Sequence, residues 1–238
     1  MRHIILKDTK ITAGQYEDWK EEDTAFWQKY VDITPEYTVL KTEYSNYPTY
    51  VDSDGDIRPT NAYLQSLTDL VIAKNGQFGY DFIMVMVHED NWKSDTDFTE
   101  GIWGTNYSYA FGSQNLCYCR WDKDNRANTF GVAYHERHHS FDAIIKVELG
   151  VNIEPILDVQ HYDREITHGK GADWSYIRHK ENTKSLEIMK PYLQQAFKKR
   201  KEKHDEFING LLQTILNLAT QLLYFLRKQM NAKNGIPR

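Results

Sequence analysis

The chain has 238 residues, of which 29 are Lys or Arg and 34 are Asp or Glu, so its formal net charge is −5. Apolar residues make up 40% of it and aromatic residues 13%, which excludes a disordered chain and predicts a packed core. The mild acidity argues against a nucleic-acid partner, which would call for a basic surplus. Cys117 and Cys119 lie too close in sequence to form a disulfide framework. Residues 1–15 lack the apolar run of a secretory signal, which favours a cytoplasmic protein.

Charge divides the chain into an acidic body and a basic tail. Residues 180–238 contain 12 Lys or Arg and 5 Asp or Glu, and the remaining residues carry a net negative charge. A glycine-bearing loop, His168-Gly169-Lys170-Gly171, precedes this change. The sequence therefore predicts one domain over residues 1–179 and a basic, helical C-terminal extension over residues 180–238 that serves docking or oligomerisation.

Hydrophobic periodicity predicts an α+β fold with a mixed sheet, followed by a long helix that ends at Gly150 and a helical C-terminal region. The best strand covers residues 80–88, because its apolar run is nearly continuous. Thr60-Asn61 predicts the start of a helix that stops at Asn75-Gly76. The Asp/Gly segment at residues 52–56 indicates a solvated turn. The other predicted elements are strands at residues 4–11, 37–44, 101–109 and 115–121 and a helix at residues 18–30.

The pattern H-E-x-x-H occurs once, as His135-Glu136-Arg137-His138-His139. Apolar spacing predicts that it lies within one helix, capped at Asn128-Thr129 and ended by Gly150. Positions four apart share a helix face, so His135 and His139 can bind one Zn²⁺. Glu136 then lies beside the metal, where it can take a proton from a bound water. This pattern predicts metal-assisted hydrolysis of peptide bonds.

In this motif the chain resembles the zincin metallopeptidases. That resemblance implies Zn²⁺ as cofactor, a peptide or protein as substrate, and a β-strand along the cleft whose free edge pairs with the extended substrate. Residues 101–107 are the counterpart of that strand in this sequence, and Trp103 among them is suited to wall a side-chain pocket.

A catalytic zinc needs a third protein ligand, and the sequence offers several. The loop His168-Gly169 followed by Trp174 resembles that of SprT-like peptidases, which implies His168 as the third ligand. The longer pattern H-E-x-x-H-x-x-D, which ends at Asp142, instead resembles lethal-factor-type peptidases, in which a glutamate on a later helix is the ligand. The remaining candidates for the third ligand are Glu181, Glu187, Asp142 itself, His161, Asp158 and Asp163.

Residues 207–226 contain no charged side chain, and their amides recur every four residues. This pattern predicts a helix that packs on the body or on another copy of the chain through residues 205–228. The alternatives are a helix that lies on a membrane surface, with residues 198–203 facing anionic headgroups, or one that spans the membrane. The amide stripe consists of Asn209, Gln213, Asn217 and Gln221.

Together these features predict a zinc-dependent endopeptidase in which Glu136 acts as the general base and water as the nucleophile. A rival from another class is a non-catalytic structural or assembly protein, such as a virion or envelope component, whose C-terminal helix mediates association. A third alternative is a peripheral membrane protein that acts through residues 198–228.

Overall fold

The computed structural model describes residues 1–53, 55, 57–76, 79–93, 104–106, 116–124, 126–153 and 176–233. Seven strands and four helices are formed by these residues. In chain order they are β1 (Arg2–Asp8), α1 (Ala13–Val31), β2 (Glu36–Thr42), β3 (Thr49–Val51), β4 (Ile57–Pro59), α2 (Asn61–Asn75), β5 (Phe82–His88), β6 (Gly104–Asn106), β7 (Leu116–Trp121), α3 (Arg126–Leu149) and α4 (Tyr176–Lys233).

The central sheet has the strand order β2-β1-β5-β7-β6. Its first four strands are parallel, and β6 runs antiparallel to β7 at the edge. The predicted mixed sheet is therefore confirmed. The predicted α+β arrangement is wrong, because α1 connects β1 to β2 and α2 precedes β5, which makes the fold α/β. Parallel neighbours require such crossover connections, whereas antiparallel neighbours do not.

Both faces of the sheet are covered, because successive side chains of its strands point to opposite sides. On one face, Ile5 and Met84 pack with α1, α3 and the first part of α4. On the other face, Leu6 and Val85 pack with α2. All of β5 is buried, which explains its continuous apolar run. The short strands β3 and β4 pair as an antiparallel hairpin around residues 52–56, which the sequence analysis did not predict.

Local sequence signals set the helix ends. Thr12 and Gln15 form a reciprocal capping box at the start of α1, and Thr60 accepts a hydrogen bond from the Tyr63 amide at the start of α2, as predicted. Gly150 follows α3 with φ of 72°, a conformation that glycine adopts without strain. The predicted cap at Asn128-Thr129 is displaced, because α3 already begins at Arg126.

The last helix, α4, divides into two parts. In the anchored segment, residues 186–203, the side chains of Leu186, Met189 and Leu193 are buried in the core shared with α1 and α3. At its end, Arg200 bonds Asp81 at 3.0 Å and Glu148 at 3.2 Å. The first part of the predicted extension is therefore docked on the body.

The projecting segment, residues 205–231, is exposed at every position. The prediction that residues 207–226 pack on the body of the same chain is therefore wrong, and packing on another copy is the part of that prediction that stays open. Among the helices of the described residues, none combines the length and the apolar content that a membrane span requires.

Candidate metal centre

The helix α3 is fixed to the end of the neighbouring strand at its first turn. The Thr129 hydroxyl accepts a hydrogen bond from the Asp122 amide at 2.9 Å and lies 3.2 Å from the Asp122 carbonyl oxygen. Further along, Phe141, Ile144 and Ile145 are buried beneath the sheet. Both the position of α3 and its rotation about its own axis are thereby constrained.

The motif residues His135, Glu136 and His139 all lie within α3, which is helical from Arg126 to Leu149. In a helix, residues four apart lie on the same face with their Cβ atoms about 5–6 Å apart. The predicted spacing of the two histidines is therefore compatible with one shared metal ion. The side chains of His135 and His139 are not among those described, and the described side chains contain no cluster of three metal-ligating groups.

Glu136 is buried, with 5% of its surface exposed. Its carboxylate is close enough to β7 to influence Cys119 of that strand. Burial raises the pKa of the Cys119 thiol well above its ordinary value, and the nearby Cys117 and the Glu136 carboxylate raise it further. The Glu136 side chain is therefore on the side of α3 that faces the sheet.

The edge strand β6 lies next to this position. Gly104 of β6 is paired with Cys119, the residue that Glu136 influences, and Asn106 is paired with Cys117. The Cα atoms of β6 also come within 8 Å of those of α3. A strand of the predicted segment, residues 101–107, is thus at the sheet edge beside the motif helix, while Trp103 lies outside the described residues.

The opposite side of α3 is held by a buried ion pair that the sequence analysis missed. The guanidinium of Arg137 pairs with both carboxylate oxygens of Asp23 on α1, and neither side chain is exposed. Burial acts to lower the pKa of Arg137, but the Asp23 carboxylate more than offsets this, and the pKa is raised above its ordinary value. The Arg137 guanidinium therefore stays charged inside the core, next to the Asp23 carboxylate.

Aromatic groups from three elements complete the surroundings of this ion pair. The Trp27 indole donates to Asp23 at 3.1 Å, and the Tyr37 hydroxyl donates to the other oxygen of the same carboxylate. The Arg137 guanidinium carbon lies 4.8 Å from the centre of the Trp27 ring. Every polar atom of Asp23 is thus satisfied by α1, β2 or α3, as a buried carboxylate requires.

This ion pair bears on the candidate site because of helix geometry. Position 137 lies about 200° around the helix from position 135 and about 200° from position 139, so it is on the opposite face. The Arg137 contact with α1 therefore fixes the rotation of α3, so that the face with the two histidine positions points away from α1.

Few of the candidate third ligands are described. Asp142 is half-buried on α3 and shares the face of His135 by spacing. Glu187 is exposed on α4 while the adjacent Leu186 is buried, so Glu187 lies on the outer face of that helix. Glu181 lies within α4, and its side chain is not described. The candidates outside the described residues are Asp158, His161, Asp163 and His168.

Comparison of the chain with protein-family models, with curated proteins and with solved structures finds no match. The functional interpretation therefore depends on the residues of this chain and on the arrangement of α3, β6 and β7.

Proposed function

We propose that this protein is a zinc-dependent endopeptidase of the zincin type, in which His135 and His139 bind Zn²⁺ and Glu136 is the general base. The observation that carries the proposal is that Glu136 is buried within the motif helix α3, whose Cα atoms come within 8 Å of those of the edge strand β6. The donor set fits the metal, because two imidazoles four residues apart in a continuous helix are a zinc-binding arrangement.

The metal would supply a Lewis acid that polarises the peptide carbonyl and acidifies a bound water. Glu136 accepts a proton from the attacking water and later donates it to the amine that leaves. Its burial excludes bulk water from the carboxylate, so that the proton is exchanged with the reacting groups. His168 is the third ligand in this proposal, with Asp142 and Glu181 as alternatives.

The edge position of β6 supports an extended peptide as substrate. An exposed sheet edge can pair with an added strand through its backbone amide and carbonyl groups. Gly104 at the start of β6 has no side chain to obstruct that approach. Because β6 lies against both β7 and α3, a peptide paired to it would run past the motif helix.

The decisive experiment replaces the general base and keeps its shape. We expect Glu136→Gln to retain bound zinc and to lose peptide hydrolysis by a factor of about 100 or more, because the amide cannot accept the proton. Zinc is measured by elemental analysis, and hydrolysis is measured with a peptide library followed by the best substrate found in it.

The matched control is Glu148→Gln, on the same helix and also buried, with 9% of its surface exposed. Glu148 bonds Arg200 and Lys203 at the far end of α3, so its replacement lowers stability but leaves turnover per folded molecule unchanged. Undiminished hydrolysis by Glu136→Gln would contradict the assigned role. Absence of zinc after reconstitution, together with the same thermal midpoint in chelator, would contradict metal binding itself.

A further inference from the structure

The projecting segment exposes an apolar surface of unusual extent. Residues 205–231 form a continuous helix about 40 Å long, with Leu216 59% exposed and Leu218 60% exposed. Isolated exposed leucines are normal on a protein surface, but a contiguous apolar patch of this length marks an interaction site. The nature of the partner follows from the spacing of the apolar residues and from the charges at the two ends.

Six of the exposed apolar residues of this segment follow a heptad repeat. Alternating spacings of three and four residues place one seam along the helix over three heptads, which is the pattern of helices that wind around each other. The branched residues Ile208 and Ile215 alternate with leucine along it. The seam consists of Ile208, Leu211, Ile215, Leu218, Leu222 and Phe225, all of them exposed.

Charge appears only at the two ends of this seam, and with opposite sign. Asp205 and Glu206 precede it, and Arg227 and Lys228 follow it. In a parallel pair of identical helices, equal charges lie side by side at both ends and repel each other. In an antiparallel pair, the acidic end of one helix lies beside the basic end of the other, which is the favourable arrangement.

One antiparallel register satisfies both the seam and the charges. If the pair is centred between Leu216 and Asn217, then Ile208 of one copy lies opposite Phe225 of the other, and the other seam residues pair in the same way. The same register brings the acidic end of each helix level with the basic end of the other, with Asp205 at the height of Lys228 on the flanks of the seam. It also brings Met230 of the second copy level with Lys203. Because Lys203 is bonded to Glu148 of the body, the paired part of the helix ends where the body begins.

The composition of the polar face favours a second copy over a lipid surface. Helices that lie on membranes carry Lys and Arg along their polar face, whereas this face carries amides and threonines between its charged ends. A membrane-spanning orientation would in addition bury the amides of Asn209, Gln213, Asn217 and Gln221 in hydrocarbon, at a cost of several kcal/mol in total.

We infer that residues 205–231 pair antiparallel with the same residues of a second copy of this chain. The result is a two-fold symmetric dimer in which the two bodies lie at opposite ends of the paired helices. This inference does not depend on the proposed peptidase activity, because the projecting segment is separate from the motif helix.

The first test measures the mass of the full-length protein in solution. We expect light scattering to give twice the chain mass of 28.1 kDa. Leu218→Lys puts a charge in the seam and should reduce the mass to that of the monomer, with unchanged tryptophan fluorescence of the body. Asn217→Lys is the matched control, because it adds the same charge to the adjacent residue on the polar face and should leave the dimer intact.

The second test determines the direction of the helices. We expect Leu211→Cys alone and Leu222→Cys alone to give no cross-link under mild oxidation, because each position is remote from its own copy in the antiparallel pair. A mixture of the two variants should give a cross-linked dimer. Cross-linking of each variant by itself would show a parallel pair and overturn the inferred arrangement.

Two further outcomes would overturn the inference. A monomeric full-length protein would show that the segment does not associate with itself. Partition of the protein onto phosphatidylcholine vesicles containing phosphatidylserine, with loss of that partition in Leu218→Lys, would show that a lipid surface covers the seam instead.

Discussion

The helix α3 and the projecting segment of α4 distribute charge and apolar surface in opposite ways. In α3, the charged residues Glu136, Arg137 and Glu148 are each buried to 9% exposure or less. In the projecting segment, large apolar side chains such as Leu212 and Leu222 are more than half exposed. Both patterns contradict the usual rule that charge lies outside and apolar surface lies inside.

The two helices differ because different groups of the chain surround them. The buried Arg137 and Glu148 meet opposite charges, since Asp23 faces one of them and Arg200 with Lys203 faces the other. The exposed leucines of the projecting segment lie beyond the end of the body. Each of these buried charges is thus compensated by opposite charges of the same chain. The exposed apolar surface at heptad spacing has no such partner among the described residues of its own body, and it is the basis of the inferred pairing with a second copy.

The largest effect is expected when the buried charge of α3 is removed and its partner on α1 is left alone. We predict that Arg137→Met lowers the free energy of unfolding by about 3–5 kcal/mol, because Asp23 is left ionised in the core without a cation. Urea denaturation followed by tryptophan fluorescence measures the change. The double variant Asp23→Asn with Arg137→Met should recover part of the loss, and a loss of under about 1 kcal/mol for the single variant would contradict the structural role of the pair.

The second prediction compares one substitution in the two parts of α4. In the monomeric Leu218→Lys background, we expect Leu193→Ala to lower the free energy of unfolding by about 2–5 kcal/mol, because it leaves a cavity in the core. In the same background, Leu222→Ala should change it by less than about 0.5 kcal/mol, because that side chain is already exposed.

Equal effects of the two alanine substitutions would mean that the projecting segment also packs on the body. All six tryptophans of the chain lie before residue 175, so that the fluorescence reports on the body alone in both variants.

The elements with a strong local signal could be predicted from the sequence. The continuous apolar run of β5, the Thr60 cap of α2 and the Gly150 end of α3 are each determined by a few neighbouring residues, and each appears near its predicted place. The extended C-terminal helix was also expected, although its division into anchored and projecting parts was not. That division depends on where the body ends, which no local pattern records.

The buried ion pair and the parallel strand connections, which the sequence analysis missed, depend on contacts between distant residues. Asp23 and Arg137 are 114 positions apart, and neither carries a local pattern that identifies the other. The alternation of helices and strands that makes the fold α/β was also misassigned, because the pairing direction of strands is set by the connections between them. The motif itself was local, which is why positions 135, 136 and 139 could be assigned to one helix.

The smallest predicted effect concerns His3, which lies in the same core as the charged pair of α3. The His3 ring contacts the rings of Tyr37 and Phe82 edge-on, with centroids 5.3 and 5.1 Å away, and neither ring nitrogen has a hydrogen-bond partner among the described residues. Burial lowers the pKa of His3 well below its ordinary value of 6.5, and the Arg137 charge lowers it further.

The native ring therefore stays neutral at a pH where the unfolded chain already binds a proton, so the folded state loses stability as the pH falls below 6.5. We expect the free energy of unfolding to fall between pH 7.5 and pH 5.5 because of this residue, and to continue falling until the native ring itself is protonated. His3→Phe keeps an aromatic ring in the site but cannot take up a proton, so its stability should lack this component. The measurement is urea denaturation of both proteins across that pH range, and parallel curves for the two would contradict a neutral, buried His3.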